Sequence, residues 1–181
     1  MRTIILLVVI SAFFGSCNNN PNQPEINKVD SLLTILDSAQ KELMIINPKA
    51  LSDMKDTVTF DLKFLQIEYA DTMSLDKAIL VDAYGRTLKS ISKFEKTFME
   101  QSKDVEYSTT QLTDMKKDLE SGILNKVSFN EFYPAEEESV ARLMESNGNM
   151  KIWFESVKDS YEKRRGPVVK LMDEVKARKG F

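Results

Sequence analysis

From Tyr133 to Val175 the apolar residues of this chain keep one helical phase. Tyr133, Val140, Leu143, Met150, Phe154, Val157, Tyr161, Val168, Leu171 and Val175 fall on a single series of alternating three- and four-residue steps. The remaining places on that series are held by Glu136, Asn147 and Arg164. A strand repeats every two residues, so only a helix lays these side chains along one stripe. The series passes through Ser146-Asn147-Gly148-Asn149 and Gly166-Pro167. Either segment could be a turn, but a turn normally loses the phase. A preserved phase predicts one long C-terminal helix, kinked near Pro167.

The preceding segments repeat the pattern over shorter spans. Ile26, Val29, Leu33, Leu36 and Leu43 mark a first helix, with Gln40 in the one missing place. Asn47-Pro48 then ends it and opens the next, with Asn as N-cap and Pro at the first helical position. Leu51, Met54, Val58, Leu62, Leu65 and Tyr69 carry the second helix. Residues 58–64 alternate like a strand, yet no other segment offers a partner, and a lone strand is not viable. Ser74 should cap a third helix through Leu80, Tyr84, Leu88, Ile91, Phe94 and Phe98. A fourth, through Leu112, Met115 and Leu119, should end at Gly122 in the left-handed conformation. Ser128 and Glu131 have capping-box spacing and open the last helix. With only six Gly and five Pro, the expected fold is an all-α, elongated bundle of about five helices with a long C-terminal helix.

The N-terminus carries an address. Arg2 precedes an apolar run, Ile4 to Phe14, too short to span a bilayer, and Gly15-Ser16 place small residues before Cys17, the only cysteine. This pattern reads as a lipoprotein signal: residues 1–16 removed, Cys17 lipidated, residues 17–24 a flexible tether, and 25–181 a single helical-bundle domain. Phe14 stands where Leu is usual. Lipidation would hold the protein on a membrane without a spanning helix, and no later stretch approaches 18 apolar residues. Removing Arg2 leaves 24 Lys+Arg against 28 Asp+Glu, a formal charge of −4. That balance argues against a general nucleic-acid binder.

Histidine is absent. Ser-His-Asp and Cys-His nucleophiles, HExxH zinc sites and Glu-x-x-His di-iron sites are therefore impossible. Ser-x-x-Lys occurs at Ser38–Lys41, Ser52–Lys55, Ser74–Lys77, Ser90–Lys93 and Ser160–Lys163, without the Ser-Asp-Asn and Lys-Thr-Gly partners such a nucleophile needs. Glu136-Glu137-Glu138 suits a first helical turn better than a cation site, since no calcium loop accompanies it. Met54, Met115, Met144, Met150 and Met172 lie on or beside the apolar stripes as core filler. No catalytic, metal-binding or cofactor site is expected, and the chain is not expected to be an enzyme.

Two features suggest an interaction surface. Lys163 to Phe181 carries seven cations against Asp173 and Glu174, a net of +5. These cations could complement the helix dipole or dock on headgroups or an acidic partner. A long last helix would outrun the shorter ones, leaving Arg164, Arg165, Val168, Leu171 and Val175 on a projecting end. Trp153 could serve either as an interface anchor or as half-buried core.

Cys17 with its Asn-rich tether, the segment Gln111-Leu112-Thr113-Asp114-Met115-Lys116-Lys117-Asp118-Leu119-Glu120-Ser121-Gly122, and Phe132-Tyr133-Pro134-Ala135-Glu136-Glu137 resemble the small helical lipoproteins of unknown function common in Bacteroidota. The resemblance implies an outer-membrane lipid anchor and a helical bundle, and no reaction. Surface-exported members tend to have acidic residues after the cysteine; Asn18, Asn19 and Asn20 here imply the periplasmic face. The expected role is a non-catalytic binding or structural module of the cell envelope, with an envelope protein as partner. The alternative is a periplasmic carrier holding a small ligand or metal in a cavity between helices.

Overall fold

A computed structural model describes residues 20–69 and 72–180. Cys17 and the signal segment lie outside them. Four helices follow in order: α1 (Gln23–Met44), α2 (Pro48–Glu68), α3 (Leu75–Glu120) and α4 (Lys126–Lys179). The described residues contain no strand, and residues 58–64 are helical.

The helix count departs from the expected five because α3 is one helix of 46 residues. The third and fourth expected helices are its two halves. Its buried positions Tyr84, Thr87, Ile91, Phe94, Gln101, Val105, Ser108, Leu112 and Leu119 keep the three–four step throughout. Thr87, Gln101 and Ser108 occupy core places with polar side chains, which conceals the phase from an apolar count.

The helices form three rods rather than four. α1 and α2 share no packing with each other, while each packs on both α3 and α4. They succeed one another end to end as a single broken rod. α3 returns antiparallel: Lys116 pairs with Asp30 near the start of α1, and Tyr84 meets Asp61 near the end of α2. α4 runs up again, with Asn147 beside Ala39 and Lys179 beside Glu68. At 1.5 Å per residue the 54-residue α4 is about 80 Å long, and α1 and α2 together supply about 65 Å of helix beside it.

The break in the first rod is built as its residues suggest. Asn47 Oδ1 accepts from the backbone N–H groups of Lys49 and Ala50, at 3.0 and 3.4 Å, and Pro48 begins α2. At the far turn Ser121 caps α3 and Gly122 adopts φ 74°, the left-handed conformation. α4 begins earlier than Ser128, because Asn125 Oδ1 already accepts from Val127 and Ser128, at 2.9 and 3.1 Å. The start of α1 also departs from expectation. It begins at Gln23, and Asn20 and Asn22 are fixed to the α3–α4 turn, so residues 20–24 are not free tether.

α4 is continuous through Gly148 and Pro167. Both prolines inside it, Pro134 and Pro167, occupy exposed positions. There the carbonyls they release, those of Asn130 and Lys163, can turn to water.

The projecting end does not form. Val168, Leu171 and Val175 are 0%, 3% and 2% exposed, packed beneath α2 and the start of α3, because α2 continues the first rod to the end of the bundle where α4 finishes. Each such side chain contributes about 1.5–3 kcal/mol when fully buried. Truncation after Lys163 removes all three together with buried Met172. Denaturant titration of the truncated chain is expected to show a loss of several kcal/mol, with α2 and the start of α3 losing protection in hydrogen exchange.

Candidate interaction surface

Of the residues expected to meet a partner, Val168, Leu171 and Val175 are buried, Trp153 and Arg164 are partly covered, and Arg165 is exposed. Trp153 is half-buried, its ring set edge-on to Phe94 at 5.2 Å with Lys93 Nζ 5.7 Å above it. Phe98 and Phe154 complete the aromatic group around Phe94, which has no exposed surface. Arg164 donates to Thr87 Oγ1 at 3.2 Å, and Arg165 Nε lies 3.7 Å from Asp61 Oδ2. The last three C-terminal cations are likewise engaged within the fold. Lys179 pairs with Glu68 at 2.8 Å, Lys176 Nζ stands over Phe64, and the Arg178 guanidinium stands over Tyr69. The Val168–Leu171–Val175 stripe, with Lys176, Arg178 and Lys179, closes the end of the bundle at α2, while Lys163, Arg165 and Lys170 stay exposed.

Polar side chains inside the core cross between rods at three levels. Near the start of α1, Asn22 Nδ2 donates to the carbonyls of Leu119 and Leu124, at 2.9 and 3.4 Å, filling acceptors that a helix end leaves open. At mid-length Asn147 Nδ2 donates to Ala39 O at 2.9 Å, and its Oδ1 accepts from Gln101 Nε2 at 2.8 Å. Gln101 also donates to Leu143 O and accepts from Ser146 Oγ. Towards the far end, the buried Tyr84 hydroxyl donates to Asp61 Oδ2 at 2.9 Å. Burial, and then that bond to Asp61, raise the Tyr84 pKa far enough to keep the phenol neutral in any ordinary buffer.

Among the described residues no group of three or more carboxylates could hold a metal ion. Four lysines of the Ser-x-x-Lys pairs have other engagements: Lys41 with Asp37, Lys55 with Glu95, Lys77 with Glu174, and Lys93 with Trp153. Glu138 pairs with Arg142. Met54, Met150 and Met172 are buried, and Met115 and Met144 pack against the core.

The break at Asn47-Pro48 opens what the sequence reading did not single out. Where α1 gives way to α2, a cleft of about 330 Å³ lies against α3, lined by Leu43, Met44, Ile46, Phe98, Ser102 and Val105 among others. Met44 and Ile45 beside it are both 71% exposed. The signal was the proline break beside an apolar Met-Ile-Ile run, which one rod face has no room to bury. No helix of the described residues is long and apolar enough to cross a membrane. Comparison with protein-family models, with curated proteins and with solved structures gives no match.

Two predictions follow from the buried polar groups. Tyr84→Phe takes from the Asp61 carboxylate, 3% exposed, its 2.9 Å hydrogen bond and leaves it the longer 3.7 Å pairing with Arg165, and should cost about 2 kcal/mol in urea titration. Adding Asp61→Leu should recover part of that loss, because the orphaned charge goes with it.

Glu25 and Glu174 should govern acid stability. Burial pushes Glu25 up, but its own backbone N–H and Lys126, 3.3 Å away, outweigh it and leave the carboxyl below the usual 4.5. Glu174 is lowered by the hydrogen bond from Lys77 and by the charge of that ammonium. Both carboxyls sit lower in the folded chain, so their contribution is complete above the ordinary carboxylate range. It is lost as pH falls through the depressed values. Melting temperature followed against pH should drop on that acid limb, and less steeply in Glu25→Gln/Glu174→Gln.

Proposed function

We propose that this protein is a non-catalytic module of the cell envelope, held on a membrane through lipidated Cys17 and acting by binding or spacing. The observation that carries this reading is how the chain uses its reactive side chains. Its buried carboxylates Asp61 and Glu25, its buried amides and several of the cations at its C-terminal end are engaged in joining the three rods. Apolar surface is what stays open: the cleft at the helix break, and side chains such as Met44 and Ile45 beside it. Exposed apolar patches of this kind suit contact with another protein or a membrane better than chemistry. In this reading the envelope partner meets the break in the first rod. Its position would be the periplasmic face of an outer membrane, on the strength of Asn18–Asn20 and the resemblance to Bacteroidota lipoproteins.

The carrier alternative rests on the same cleft, whose volume is at the lower end of small-molecule sites, about 300–1,000 Å³. It is open to solvent and offers few polar groups, Gln40 and Ser102, to orient a ligand. Native mass spectrometry of the purified lipidated chain separates the two: a stoichiometric adduct would favour a carrier, and the acylated mass alone is the expected result.

The membrane attachment is tested by substitution. Metabolic labelling with a clickable palmitate should mark the wild-type chain and leave Cys17→Ser unlabelled and released from the membrane fraction. Undiminished labelling of the variant would sink the attachment.

A further inference from the structure

The turn between α3 and α4 exposes two large aliphatic side chains, Ile123 at 77% and Val127 at 80%. Gly122 with φ 74° folds the chain so that Leu124 tucks inward, its N–H bonded to Asp118 O at 3.0 Å, while Ile123 faces out. The same turn holds the first described residues of the chain. Asn20 Nδ2 donates to Glu120 O at 3.3 Å, and Asn22 Nδ2 to Leu119 O and Leu124 O. Cys17 is three residues before Asn20, so at most about 11 Å of extended chain separates it from the residue bonded to this turn. The end of the rod that bears Ile123 and Val127 is thus the end from which the lipidated residue departs.

We infer that the α3–α4 turn is a membrane-contacting tip, with Ile123 and Val127 entering the headgroup–acyl boundary of the bilayer that holds Cys17. This rests on the lipid attachment proposed above. The contact is apolar rather than electrostatic. The nearby cations Lys116 and Lys126 are engaged by Asp30 and Glu25, at 2.6 and 3.3 Å, and Asp118 and Glu120 add negative charge that anionic lipid would repel. Two short aliphatic side chains add little to several acyl chains in holding the protein. Their effect is to set orientation: a rod fixed at both Cys17 and the adjoining turn meets the membrane end-on.

With Cys17 acylated, a cysteine introduced elsewhere is the sole thiol. Ile123→Cys, Val127→Cys and, at the opposite end, Leu75→Cys (Leu75 is itself 75% exposed) can each carry an environment-sensitive nitrobenzoxadiazole label on the full lipidated protein. In phosphatidylcholine vesicles containing brominated acyl chains, the labels at 123 and 127 should be blue-shifted. They should also be quenched several-fold more than the label at 75, with no dependence on added salt. Flotation and intact mass are read on the same samples. Vesicle-bound, acylated protein with unquenched labels at 123 and 127 overturns the tip contact while leaving the attachment standing. Equal quenching at 75 overturns it in favour of a rod lying flat. A blue shift in Cys17→Ser protein without vesicles also overturns it, because protein rather than lipid would then cover the turn. An unacylated chain that fails to float removes both proposals.

Discussion

One amide ties the three rods together. Asn147 of α4 donates to Ala39 O of α1 and accepts from Gln101 of α3, all within the buried middle of the bundle. An apolar stripe specifies which face of a helix is buried but is tolerant about how far one helix slides along another, since the next turn presents similar side chains. A buried amide is not tolerant. Slide α4 by one turn and Asn147 loses both partners, leaving donor and acceptor without hydrogen bonds in a dry core. Ala39, with no exposed surface, matters equally, because its small side chain lets the amide reach a backbone carbonyl. The pairing of Arg164 with Thr87, also between α4 and α3, is in the register this node sets, as with polar core residues in coiled coils.

The same residues explain what could be read from the sequence. Helical class, the Asn47-Pro48 break, the left-handed Gly122 and the continuity of α4 were legible, because each depends on local spacing or backbone preference. The length of α3 was not. Gln101 and Ser108 sit in its core places, and a count of apolar residues treats them as gaps. Asn147 and Arg164 were likewise visible only as blanks in the α4 series, yet each crosses to another rod. In α2 the buried place belongs to Asp61 rather than to neighbouring Leu62, which is only partly covered. Polar residues at stripe positions carried the tertiary information, and single-chain periodicity assigns them none.

The candidate surface was misplaced for a related reason. The basic, amphipathic C-terminal segment looked unpartnered because α1 and α2 are each too short to cover it. Laid end to end they are not. End-to-end stacking depends on both helices presenting their stripes to the same α3–α4 groove across the break, which is a relation between segments rather than a property of either. The cleft beside Met44 arises from that stacking, as the gap where one helix stops and the next has yet to reach full width.

An odd number of rods puts the first and last helical residues at opposite extremes, Gln23 beside the α3–α4 turn and Lys179 beside the end of α2. A force applied between them acts along the rod axis and draws α1 and α4, which run parallel, past each other. That is shear, not peeling. Peeling opens contacts one turn at a time, whereas shear strains the Asn147 node, the Asp61–Arg165 pair and the whole apolar seam together. An even-numbered bundle, with both ends on one side, would unzip under the same load. Pulled along its length, this chain resists as a strut.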